Sequence, residues 1–325
     1  MVRMVGTTAR GLRTPIINQG DDIVEIVVST VLQAAEAEGF AIRDRDIVSV
    51  TESVVARAQG NYATIDAIAA DVRQKFGRGK LGLVFPILSR NRFAVCLRGI
   101  ARGADKIVLM LSYPADEVGN RLLSLDDLDA HGINPWTDVL TEQQFFDKFG
   151  HRKHSFTGVD YVAYYRSLIE ECGAQCEIIF GNDPRVMLSY TDKVLSCDIH
   201  TRHRTKRLLQ ESGARLVYGL DDLLIAATAG GFNEDYGLLG SNKATEESVK
   251  LFPRNAQAVV DGIQSNLLAL TGKWVEVMVY GDGAFKDPEG NIWELADPVV
   301  SPAFTAGLQG VPNEVKIKYL ADNNY

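Results

Sequence analysis

DIVSVTESVVARAQG, residues 46–60, decides the fold of this chain. Its first half, DIVSVTE at residues 46–52, is apolar and β-branched in the manner of a buried strand, and its second half opens a helix. Just ahead lies RGLRTPIINQGDDIVEIV, residues 10–27, a loop stiffened by Pro15 that feeds a helix over residues 23–39. Asp21 and Asp22 stand at the start of that helix, where carboxylates accept from free backbone N–H groups and meet the positive end of the dipole. Gly39 supplies its stop. Downstream, residues 65–76 read as an amphipathic helix closed by Gly77, and LGLVFPIL, residues 81–88, as a strand whose Pro86 puts its end at an edge or bulge. A helix over 92–101 and the strand KIVLMLSY, residues 106–113, continue the pattern. Alternation of this kind predicts an α/β fold with mixed, largely parallel sheets and helices.

Residues 114–155 break the rhythm and read as surface loops and short helices. The alternation then resumes with a helix over 160–172, strands over 176–180 and 193–199, a helix over 205–211 and a strand over 215–218. The predicted organisation is a core formed by residues 1–97 and 232–325, interrupted by an inserted α/β unit over 98–231. From Gly230 the chain turns Gly- and Asn-rich and reads as a loop, followed by a helix over 255–270, a strand over 274–280 and the polar turn GDGAFKDPEGN. No internal repeat is present.

Composition narrows the function. The chain has 325 residues, 46% hydrophobic and 23% charged, with a net charge of -8. That charge offers no general attraction to nucleic acid or an anionic membrane, so an anionic ligand needs a local site. No apolar run reaches membrane-spanning length and the N-terminus lacks the pattern of a signal peptide. Four cysteines are too few for a disulfide scaffold. The expectation is a soluble cytoplasmic protein.

Neither a GxxxxGK[ST] loop nor a GxGxxG turn is present, so a nucleotide would be met by another route. Arg10 and Arg13, in the loop before the first helix, suit phosphate oxygens. Thr51, Glu52 and Ser53 end the first strand at the sheet edge where open α/β folds place ligands, and Arg57 lies one helical turn beyond Ser53. The same residues also fit a solvated loop and an ordinary helix cap. A second candidate is Asp282, set between glycines at a strand end with Asp287, Glu289, Glu294 and Asp297 behind it, a set suited to a hard cation and equally to an acidic turn. A third is the loop FNEDYGLLGSNKATEE, residues 232–247, whose Asn233, Glu234, Asp235, Ser241, Asn242 and Lys243 can wrap a phosphate or simply face water. A fourth is the group Cys172, Cys176, Cys197 and His200, with His203 and His154 nearby, which either closes a zinc site or marks a helix entry.

The order GL–P–INQGDD followed by a strand running into TESVVARAQG resembles the coenzyme F420-0:L-glutamate ligase family, also called F420 gamma-glutamyl ligases. DYGLLGSN, residues 235–242, and LALTGKWVEVMVYGDG, residues 268–283, are similar to later blocks of that family. The likeness covers residues 10–97 and 235–302, and the stretch between looks like a large insertion. The resemblance implies an acid–amino-acid ligase with GTP as co-substrate, Mg2+ or Mn2+, and K+ as a further cation. Such an enzyme joins L-glutamate to a small carboxylate acceptor such as F420-0 through an acyl phosphate, as a homodimer. By motif position it puts the nucleotide on Leu12, Arg13, Thr14, Pro15, Glu52, Ser53, Arg57 (lysine in the family motif) and Asn242. It puts the metal and the catalytic role on Asp282, with Asp235 as second metal ligand. Three departures stand out. Leu239 occupies the place of a metal-binding aspartate, Glu52-Ser53 replaces a Ser-Thr pair, and no glycine-rich nucleotide-binding strand follows, so the C-terminal lobe reads as incomplete. A ligase-like nucleotide- and metal-binding protein without turnover is the alternative.

Overall fold

The computed structural model describes residues 8–155, 157–227, 230–281, 284–286, 293–295 and 300–309. The most apolar segments make a six-stranded sheet in the order Leu140–Thr141, Gln175–Phe180, Lys106–Leu111, Lys80–Val84, Lys193–Ser196, Leu216–Gly219. Only Leu140–Thr141, at one edge, runs antiparallel to its neighbour. Leu81, Leu83, Ile107, Leu109 and Leu195 bury against helices Ile65–Phe76, Phe93–Arg102 and Tyr161–Glu171. Their alternate neighbours Val84, Val108, Met110, Ile179 and Val194 bury on the other face with Met187 and Leu209. Parallel strands need such cover on both faces, which is why they read as unbroken apolar runs.

Two strand ends differ from the expectation. The strand begun near residue 81 stops at Val84, and Phe85 turns the chain away at φ 57°; Pro86 follows this central strand rather than marking an edge. The strand expected to reach residue 199 stops at Ser196. Asp198, fully buried, gathers the hydroxyls of Ser196, Thr201 and Thr205 and so bends the chain into helix Arg202–Glu211. The sheet draws on chain from both sides of residue 98, since Lys80–Val84 is one of its central strands.

A second, three-stranded sheet pairs Ile47–Thr51 in parallel with Glu276–Gly281, which in turn pairs antiparallel with Val300–Phe304. Helices Ile23–Glu38 and Ala256–Thr271 pack on it through Val27, Val28, Val31, Val260, Ile263 and Leu267. The first helix begins as its sequence dictates: the Asp22 side chain accepts from Val24 and Glu25 N–H at 3.0 and 3.1 Å, and Gly39 ends it at φ 66°.

The Thr305 hydroxyl donates to the buried carboxylate of Glu276 and, against the opposing effect of burial, holds its carboxyl below the ordinary range. The Trp274 indole at 3.1 Å, Gly307 N–H at 3.2 Å and Gln264 amide at 3.4 Å add to this. A depressed carboxyl stabilises the fold above the pKa of the unfolded chain, and that contribution is lost as pH falls through the folded pKa. Glu276→Gln is therefore expected to be less stable than the native chain at neutral pH, with the difference closing in acid. Denaturant midpoints measured from pH 7 down to pH 3 check this.

Between the two sheets lies a small antiparallel one in the order Tyr62–Thr64, Ser248–Leu251, Ser241–Thr245. It replaces part of the loop expected after Gly230. Asn61, fully buried, ties it in place. Its amide donates to the carbonyls of Phe232 and Phe252 at 2.9 and 2.7 Å, and its oxygen accepts from Phe232 N–H at 3.1 Å and the Arg254 guanidinium at 2.7 Å.

Candidate active site

Strands Ile47–Thr51 and Glu276–Gly281 run parallel with Thr51 opposite Tyr280, so both end on one edge of their sheet. At that edge the Thr51 hydroxyl accepts from Ser53 N–H at 3.3 Å and starts helix Glu52–Gln59. Glu52 is thus the first helical residue rather than the last of the strand, and only 4% of it is exposed. Its carboxylate accepts from the Asn242 amide at 3.3 Å, and the Asn242 oxygen accepts from Arg92 Nε at 3.5 Å. Ser53 Oγ accepts from the ammonium of Lys250. Glu52, Ser53 and Asn242, far apart in sequence, therefore converge.

The entry segment is docked on the same helix. Arg57 Nε donates to the Ile17 carbonyl at 2.6 Å and Gly20 N–H to the Ala58 carbonyl at 2.8 Å. Gly60, at φ 62°, lets the Gln19 side chain lie over the helix end; a Cβ there would come within 2.3 Å of it. Leu12, Arg13, Thr14 and Pro15 are exposed upstream of this contact, and Arg10 sits over the Phe40 ring at 4.6 Å.

Where the docked segment, the helix and the small antiparallel sheet meet, they enclose an open cavity of about 520 Å³. Its walls include Asn18, Gln19, Tyr62 and Ser248, and its charged members are Arg57, Lys243 and Lys250. Cavities of this size hold nucleotide-sized ligands. Burial lowers the pKa of Lys250 and Arg57 repels it, while Glu52 pulls the other way. Burial likewise lowers Arg92, opposed by Cys96 and Glu52. A half-buried ammonium that has lost part of its hydration gains more from an incoming anion than an exposed one does.

A family model for F420-0:Gamma-glutamyl ligase matches residues 11–323, nearly the whole length. The chain belongs to the F420-0:gamma-glutamyl ligase family. It is accordingly a ligase, and the glutamate-adding step of F420 biosynthesis is the family's activity. No curated protein matches the chain.

The other residues singled out for this ligase fall as follows. Asn233 is buried and structural: its oxygen accepts from Asp235 and Tyr236 N–H at 3.1 and 2.8 Å, and its amide donates to Pro253 O at 3.0 Å. Glu234 and Asp235 are exposed, and Leu239 packs against the core. Asp282, like Asp287 and Glu289, lies outside the described residues; the strand that leads to it ends at Gly281, on the sheet edge shared with Thr51. Among the described residues no three or more His, Cys, Asp or Glu side chains gather as a metal site. The cavity walls offer guanidinium, ammonium, amide and hydroxyl groups and, among the described residues, no carboxylate. Those groups by themselves fit an anion and not a divalent cation. Nor do Cys172, Cys176, Cys197 and His200 gather: Cys197 is core, Cys172 and Cys176 pack against the same core, and His200 is exposed. No helix among the described residues is long and apolar enough to cross a membrane.

Proposed function

We propose that this ligase uses GTP to activate a small carboxylate acceptor such as F420-0 and then joins L-glutamate to it. The acceptor carboxylate takes the γ-phosphoryl group, GDP leaves, and the glutamate nitrogen attacks the acyl carbon. The amide forms as inorganic phosphate departs with the electron pair of the broken C–O bond. The observation that carries this reading is the convergence of Arg57, Lys243 and Lys250 on one cavity beside Ser53 and Asn242. Such a cluster offsets the charge that develops on a transferring phosphoryl group. Arg57, Lys243 and Lys250 serve the phosphates, Glu52 orients Asn242 and Arg92, and Arg13 completes the nucleotide contacts from the entry segment. Mg2+ or Mn2+ belongs to the proposal through Asp282 and Asp235; the described residues alone do not fit such an ion.

The test is incubation with GTP, L-glutamate and F420-0, following GDP and the glutamylated product by mass spectrometry. GDP and product in equal amounts are the expected result. GTP binding without product would favour a ligase-like binding protein, and neither binding nor product would reject both.

A further inference from the structure

We infer that the cavity binds the triphosphate through protein cations alone, so that nucleotide binding needs no divalent metal even if turnover does. The inference deepens the GTP reading and rests on it. Two observations carry it. The charged groups on the described walls, Arg57, Lys243 and Lys250, are all cationic and stand on three different elements: helix Glu52–Gln59 and strands Ser241–Thr245 and Ser248–Leu251. The two strands are paired neighbours in one sheet and the helix is a separate element, so a helix and a sheet both bring positive charge to the cavity.

Each cation is also held in place by the protein. Arg57 is anchored through Nε to the Ile17 carbonyl, which leaves its terminal nitrogens for a ligand. Lys250 is anchored on Ser53 Oγ, and the Lys243 ammonium is held by the Glu246 carboxylate, which offsets part of its charge. Little side-chain ordering then remains to oppose binding.

Isothermal titration of the full chain with inorganic tripolyphosphate and with GTP, each in EDTA and in Mg2+, tests this. Affinities in the two buffers are expected to agree within about threefold, and Lys250→Met to weaken both ligands by about tenfold in EDTA, the worth of one charge-assisted hydrogen bond. Circular dichroism of the variant confirms that it is folded, and Lys243→Met gives a second charge removal if it is not. Binding seen only with Mg2+ would overturn the inference and leave the GTP reading standing. Metal-free binding that neither lysine variant weakens would also overturn it. No binding of GTP in either buffer would remove the GTP reading itself.

Discussion

Arg57→Met combined with Lys250→Met is expected to lower kcat/KM for GTP-driven amide formation by about a thousandfold, measured by steady-state release of GDP. Each substitution keeps the aliphatic stem and removes one cation from the cavity. Charge-assisted hydrogen bonds are worth about 1.5–3 kcal/mol each, and two of them together about 4 kcal/mol, which is roughly three decades in rate. Neither residue belongs to the hydrophobic cores, but Arg57 holds the Ile17 carbonyl and Lys250 holds Ser53, so a modest fall in melting temperature is expected alongside. The two losses should not simply add. Both cations line one cavity and repel each other, so the effect of removing one depends on whether the other is present. Equal activity in the double variant and the native enzyme would mean that these cations do not touch the reacting phosphates.

Asn61→Leu is expected to destabilise the fold by about 3 kcal/mol, read from denaturant midpoints at constant m-value. The side chain is fully buried and takes part in four hydrogen bonds, with both Phe232 backbone groups, the Phe252 carbonyl and the Arg254 guanidinium. A leucine of similar size removes all four bonds; the Phe252 carbonyl keeps only a longer one from the Asn233 amide at 3.3 Å, and the half-buried Arg254 guanidinium can turn to water. Gly231 crowds the same amide, since a Cβ there would lie 2.7 Å from its oxygen. Asn61 thus fixes the small sheet whose strands carry Lys243 and Lys250. A variant as stable as the native protein would show that these bonds are exchanged for others at no net cost.

Much of the architecture was legible in the sequence because it rests on local rules. Helix Ile23–Glu38 begins at the capping side chain of Asp22 and ends at Gly39, and helix Ile65–Phe76 ends at Gly77, each visible in the chain as a short polar or glycine punctuation; the Thr64 cap of the second helix was not read. The central strands read as strands because both their faces are covered. The small antiparallel sheet was missed for the opposite reason. SNKAT and SVKL are short and polar on one face, and they become strands only by pairing with each other and with Tyr62–Thr64. Tertiary contact decides such segments, and no periodicity announces them.

The site divides the same way. Glu52, Ser53, Arg57 and Asn242 were singled out through motif likeness; Glu52 meets Asn242, Ser53 meets Lys250, and Arg57 and Lys250 line one cavity. Arg92 and Lys250 were not singled out. Lys250 is an unremarked lysine in a four-residue strand, and its meaning lies in facing Ser53 across 197 positions of sequence. Arg92 precedes an apolar helix and gains its role from Asn242, 150 positions away. No local pattern encodes distances of that kind.

The most direct measurement is a crystal structure of the full chain with a non-hydrolysable GTP analogue. The triphosphate is expected against Arg57, Lys243 and Lys250, with Asn242 and Ser53 beside it. An analogue seated elsewhere on the molecule, with this cavity holding only solvent, would contradict the assignment of the active site.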